Sequence, residues 1–128
     1  MRIVLAADGT RGDVHPLLTL GASLRAHAHD VLLCAPPDFA DAAREHDVAF
    51  LAVGASSQDY LTREAHALHG FGVAILRQME RYGREILAGQ FAAVPGAVRG
   101  ADLVVSGGVQ LAARSAAEAH GVPYRFVA

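Results

Sequence analysis

An apolar run, Ile3-Val-Leu-Ala-Ala7, leads straight into Asp8-Gly9-Thr-Arg-Gly-Asp-Val-His-Pro16 and then into a helical pattern. A buried strand, a glycine-punctuated loop and a helix N-terminus in that order place the loop outside the carboxyl end of a parallel strand, where open α/β sheets bind ligands. The helix is predicted over Val14–Ala26, with apolar or small residues at 14, 17, 18, 21, 24 and 28.

The same alternation recurs along the chain. Strands are predicted at Arg2–Ala7, Asp30–Ala35, Val48–Val53, Asp102–Ser106 and Tyr124–Val127. Asp38 reads as the N-cap of a short helix over Phe39–His46. Tyr60–His69 reads as helical, broken by Gly70-Phe71-Gly72. Val73–Val94 reads as a long helix that Pro95-Gly96 ends or kinks. Its predicted inner stripe is Ile75, Met79, Tyr82, Ile86, Leu87, Phe91 and Val94. Its outer face carries the i,i+4 pairs Glu80–Arg84 and Arg81–Glu85. A last helix is predicted over Val109–His120, stopped by Gly121 and Pro123. Strand and helix in alternation imply a doubly wound, Rossmann-like α/β fold: a parallel sheet of about five strands with helices on both faces. With strand order 3-2-1-4-5 the first and fourth strands are neighbours, and a cleft lies between Gly9–Asp13 and Ser106–Gln110.

A chain of 128 residues with 52% hydrophobic and 19% charged residues is one globular domain over 1–128, not a disordered segment. Its net charge of -2 gives no basic surface for nucleic acid. There is no signal-like h-region at the N-terminus and no apolar stretch long enough to be a transmembrane segment. The single cysteine, Cys34, forbids an internal disulfide and sits inside a strand, where it reads as a small buried hydrophobe; the expected compartment is the cytoplasm.

The loop chemistry narrows the function. Asp8-Gly-Thr-Arg-Gly-Asp13 offers Gly-x-x-Gly where a dinucleotide fold needs Gly-x-Gly-x-x-Gly, and its acid would repel a pyrophosphate. Asp13 has two readings. It is a helix N-cap, or a carboxylate general base at the mouth of a cleft, poised to take a proton from a hydroxyl. His15 is a second candidate, more often structural at such a place. The histidine pairs His27/His29 and His66/His69 have no cysteine or carboxylate to complete a metal set, so no metal is expected. Ser106 ends a strand but lacks Gly-x-Ser-x-Gly around it.

Gly9-Thr-Arg-Gly-Asp-Val-His-Pro16, followed by Leu17-Leu-Thr-Leu-Gly-Ala-Ser-Leu24, resembles the opening of bacterial GT-B glycosyltransferases, most nearly the family-28-like enzymes that glycosylate antibiotics and sterols. The resemblance continues through Ala28-His-Asp-Val31, Cys34-Ala-Pro-Pro37, Val48–Gly54, Ala101-Asp-Leu-Val-Val105, Gly107-Gly108, Ala116-Ala-Glu118 and Gly121-Val-Pro-Tyr124; Gln58–Gly100 fits by pattern only. It implies that Asp13 deprotonates the acceptor hydroxyl. It implies that Gly9, Thr10, Arg11 and Gly12, with His15, line the reaction centre, that Gly107 and Gly108 form a second cleft loop, and that Phe71 and Met79 shape the acceptor pocket. The donor is expected to be a nucleotide sugar, with no further cofactor, and the acceptor a lipophilic natural product or sterol. The resemblance also makes this chain an incomplete N-terminal domain of a two-domain enzyme. It would be inactive alone, in need of a C-terminal donor-binding domain or subunit, and inclined to homodimerise through exposed apolar surface. The alternative is a stand-alone, non-catalytic binding or interaction module of the same fold. In one respect the chain departs from the family: Ala28 stands where a glycine is usual, and an alanine in the left-handed region there costs roughly 1 kcal/mol.

Overall fold

The computed structural model describes residues 1–59, 62 and 72–128. The described elements are β1 (Arg2–Asp8), α1 (Arg11–Ala26), β2 (Asp30–Ala35), a 3-10 turn (Pro37–Phe39), α2 (Ala40–Glu45), β3 (Ala49–Ala52), α3 (Val73–Val98), β4 (Leu103–Gly108), α4 (Ala112–His120) and β5 (Tyr124–Val127). All strand pairs are parallel, in the order β3-β2-β1-β4-β5. The order and the doubly wound architecture are those the sequence predicts. The helix predicted at Tyr60–His69, the His66/His69 pair and Phe71 lie outside the described residues, apart from Thr62, which is helical.

The period of two along each strand builds two half-cores. Ile3, Leu5 and Ala7 of β1, with Val31 and Leu33 of β2 and Val105 of β4, pack under Val14, Leu17 and Leu18 of α1 and Ala43 of α2. Val4, Ala6, Cys34 and Val104 point to the other face, where Val94, Ala97 and Val98 of α3 and the alanines 112, 113, 116 and 117 of α4 cover them. Cys34 is buried, and burial pushes its thiol pKa up to about 12.

Four predictions are corrected. First, α1 begins at Arg11, three residues before Val14, and its N-cap is Thr10; Asp13 is the third helical residue, not the cap. Second, Asp38 does not cap α2. Its carboxylate instead accepts the Ser56 hydroxyl and the Ser57 N–H, the latter at 2.7 Å, and so caps the helical residues 57–59. Third, α3 does not end at Val94: of the two readings of Pro95-Gly96 the stop is excluded, since the helix runs through Pro95 to Val98 and buries Ala97 and Val98. Fourth, the inner stripe of α3 is displaced. Met79, Leu87 and Phe91 are exposed, whereas Gln90, Val94, Ala97 and Val98 are buried. Of the two ion pairs foreseen, Arg84–Glu80 forms at 2.7 Å, and no Arg81–Glu85 pair is seen among the described residues. Smaller shifts of one to three residues occur elsewhere, as at α4, which starts at Ala112 rather than Val109.

Candidate functional site

The carboxyl ends of β1 and β4 lie side by side, Ala7 opposite Gly107 and Asp8 opposite Gly108, so the two glycine loops leave the sheet as neighbours. Two of those glycines are required by the close approach. Gly9 has φ +123, and a Cβ there would lie 2.3 Å from Asp13 Oδ2. Gly108 has φ +66, and a Cβ there would lie 2.5 Å from the Asp8 carbonyl oxygen and 3.0 Å from Asp13 Cβ. The loops therefore close around the Asp13 side chain because neither carries one of its own at the contact.

Asp13 uses one oxygen for structure. Its Oδ2 accepts the Thr10 N–H at 2.8 Å and the Thr10 hydroxyl at 3.3 Å, which fixes the carboxylate at the start of α1. Its Oδ1 makes no hydrogen bond among the described residues. A carboxylate in the first helical turn is also favoured by the helix dipole. Asp13 thus anchors the helix start through one oxygen, as the third helical residue and not as the cap, and leaves the other without a hydrogen bond among the described residues. It lines a cavity of about 310 Å³ with Pro16, Leu17, Leu20, Gly108 and Val127.

The other predicted site residues divide by position. Gly12 and Gly107 also line the Asp13 cavity, while Gly9, Thr10 and Arg11 are not in its lining and the last two are exposed. His15 is exposed and stacks edge-on against Phe39 at 5.9 Å, away from that cavity's lining. Met79 is exposed and lines neither cavity described here.

Three participants escaped the sequence reading. Asp8 is the last residue of β1. Its Oδ1 accepts the Gly9 N–H at 2.8 Å and its Oδ2 accepts Gln90 Nε2 at 2.8 Å. Burial raises its pKa above the usual carboxylate value, those two hydrogen bonds oppose the rise, and the Asp13 carboxylate adds to it. Gln90, fully buried on α3, also donates to the Val109 carbonyl at 2.8 Å and accepts the Leu111 N–H at 2.9 Å. One side chain thus ties α3 to the exits of both β1 and β4. Ser57 is the third participant, its hydroxyl donating to the Gly9 carbonyl at 3.1 Å. Only Asp8 carried a sequence signal, an acid ending an apolar run.

A second, smaller cavity of about 40 Å³ lies beside Asp8, walled by Gly54, Ser56, Ser57, Tyr82 and Glu85. Burial and the Asp8 charge together raise the Tyr82 pKa. Among the described residues no group of three His, Cys, Asp or Glu side chains is placed to hold a metal ion, and no helix is long and apolar enough to cross a membrane.

Residues 3–126 match the glycosyltransferase family 28 N-terminal domain. The chain is 41% identical to glycosyltransferase GtfE of Amycolatopsis orientalis over 129 aligned positions, covering 98% of this chain and 30% of GtfE. It is 38% identical to the vancomycin aglycone glucosyltransferase of the same organism, with the same coverage of both chains. Among solved structures, the SsfS6 glycosyltransferase of Streptomyces sp. SF2575, complexed with thymidine diphosphate, superposes with a TM-score of 0.69 at 27% identity, over 98% of this chain and 38% of SsfS6. The calicheamicin glycosyltransferase CalG4 superposes with a TM-score of 0.73 at 24% identity, over 98% of this chain and 32% of CalG4, a likeness of fold. The chain spans about 30% of the length of the curated relatives it matches.

Proposed function

Because the chain belongs to the glycosyltransferase family 28 N-terminal domain family, we propose that it forms the acceptor-side half of a sugar-transfer site, with Asp13 as its general base. The observation that carries this reading is the asymmetric use of Asp13: Oδ2 is fixed by Thr10, and Oδ1 has no hydrogen-bond partner among the described residues. In the proposed step the acceptor hydroxyl lies against Oδ1. Its oxygen attacks the anomeric carbon of a nucleotide sugar as Asp13 takes the proton, and the bond from that carbon to the diphosphate oxygen breaks. The nucleoside diphosphate leaves, held by a donor-binding domain or subunit that is not among these 128 residues.

The acceptor is proposed to be lipophilic, in keeping with the apolar wall that Pro16, Leu17 and Leu20 give the Asp13 cavity. The buried, unreactive thiol of Cys34 fits a reducing compartment such as the cytoplasm. Exposed Leu76, Met79 and Phe91 on α3 are the surface through which the isolated chain would self-associate.

The reading is tested in a fusion in which this chain replaces the matching 30% of GtfE. Asp13→Asn is expected to lower kcat by about 10²–10⁴-fold, the usual contribution of a positioned base, with little change in acceptor affinity. The unfused chain is expected to transfer no sugar. Transfer at the unsubstituted rate by the Asp13→Asn fusion would remove the base assignment, and turnover by the unfused chain would remove the half-site reading.

A further inference from the structure

The Asp8 carboxylate is half-buried, yet its two hydrogen-bond partners, the Gly9 N–H and the Gln90 amide, are both neutral. Among the described residues no arginine, histidine or terminal ammonium forms an ion pair with it. A carboxylate partly removed from water is normally compensated by a cation, and none of the described residues supplies one. Each carboxylate oxygen offers about two acceptor directions, so one on each remains after Gly9 and Gln90 are served. Both oxygens belong to a residue that lines the 40 Å³ cavity.

That cavity is too small for a whole aglycone; it takes on the order of one to three water-sized groups. Ser56, Ser57 and Glu85 share its wall with the apolar Val53, Ala55 and Ile86. The two serine hydroxyls are engaged by Asp38 and by the Gly9 carbonyl, which fixes the wall against Asp8. Among the described residues no cationic side chain lines it. A hydroxyl guest would leave the Asp8 charge uncompensated, whereas a primary ammonium offers three donors and the missing charge.

We propose that Asp8 is an acceptor-selecting residue, and that the cavity between Asp8, Ser57 and Glu85 receives a protonated primary amine carried by the acceptor. The assignment rests on the acceptor-side reading of the chain, and it makes Gln90 the positioning residue that aims the Asp8 carboxylate. The amine head docks at Asp8, and the remainder of the acceptor extends over the Gly9 peptide toward Asp13, whose charge already acts on Asp8.

The test uses the 128-residue chain and two probes that differ only in the head group, tyramine and tyrosol, followed by backbone amide NMR. Tyramine is expected to shift the Gly9, Gly54 and Ser57 resonances with an affinity at least about tenfold above that of tyrosol, the worth of one desolvated charge-assisted hydrogen bond. In Asp8→Asn the ratio is expected to fall to about one. Equal affinities in the unsubstituted chain, absence of binding by both probes, or a tyramine preference that survives Asp8→Asn would each overturn the assignment. The unsubstituted chain alone decides the first two outcomes, so the test does not depend on the variant folding. A ratio of one alongside a catalytically dead Asp13→Asn fusion removes the Asp8 assignment alone. A tenfold ratio alongside an unimpaired Asp13→Asn fusion removes the base reading alone.

Discussion

Asp8 and Asp13 are two carboxylates five residues apart, and their environments differ. Asp13 was legible because its spacing from the glycines and from Pro16 placed it where the first helix begins. Its hydrogen bonds were not legible, since a helix start three residues earlier moves it from cap to third helical residue and turns its side chain back to Thr10. Asp8 read as a strand boundary, because the donor that makes it a site residue, Gln90, lies 82 positions away. Burial raises the folded-state pKa of Asp8 above its unfolded value. Between those two values the native chain therefore binds more protons than the unfolded chain, and Asp8 costs stability as pH rises through that interval. Below the unfolded value of about 4 the cost is absent, and above the folded value it is fully present. Thermal melts of Asp8→Asn and the unsubstituted chain are expected to diverge in the variant's favour from acid toward neutral pH, whatever constant offset separates them. A difference that stays flat across that range would show that Asp8 carries no such cost.

At the scale of elements, strands were read more closely than helices. The buried faces of β2 are a nearly continuous apolar run, and it has the predicted bounds; β5 has them too, although it is mostly exposed, because Gly121 and Pro123 mark where it begins. The α3 seam was misread because large apolar side chains do not mark it. Gly89 faces inward where a Cβ would come within 2.8 Å of the Gly54 backbone, Gln90 is buried beside it, and Met79 and Phe91 face outward. Periodicity counted on hydrophobicity alone rotates such a helix onto the wrong face. The end of α1 was read correctly. Ala28 has φ +65, the left-handed conformation for which a glycine is usual, while the Ala28 and His29 N–H groups donate to Arg25 and Leu24 carbonyls. Ala28→Gly is expected to raise stability by up to about 1 kcal/mol, the strain relieved less the added freedom of the unfolded chain. Urea unfolding measures it, and a loss of stability would show that the helix end tolerates alanine without strain.

Across the whole molecule, the two half-cores are joined through the sheet, and above it Gln90 bridges them to the loops. Its amide bonds reach Asp8, Val109, Leu111 and, at 3.3 Å, Ala112. Gln90→Leu is expected to cost roughly 2–4 kcal/mol, because it takes the partner from the part-buried Val109 carbonyl and Leu111 N–H along with Asp8. Equilibrium denaturation reads that loss, and amide exchange should quicken at Gly9 and Leu111 together, whereas quickening at only one of them would show that the two loops are held separately. This bridge could not be read from pattern, since a glutamine in a helix is ordinarily a surface residue. The stretch from Ser56 to Gln90 is fastened at its first end by Asp38 and the Gly9 carbonyl, and at its last by the Gln90 amide. Those fasteners lie outside whatever length and composition fill the span between them. A change of length inside that span is therefore expected to leave the pairing of the five strands intact, because neither clasp is part of what changes.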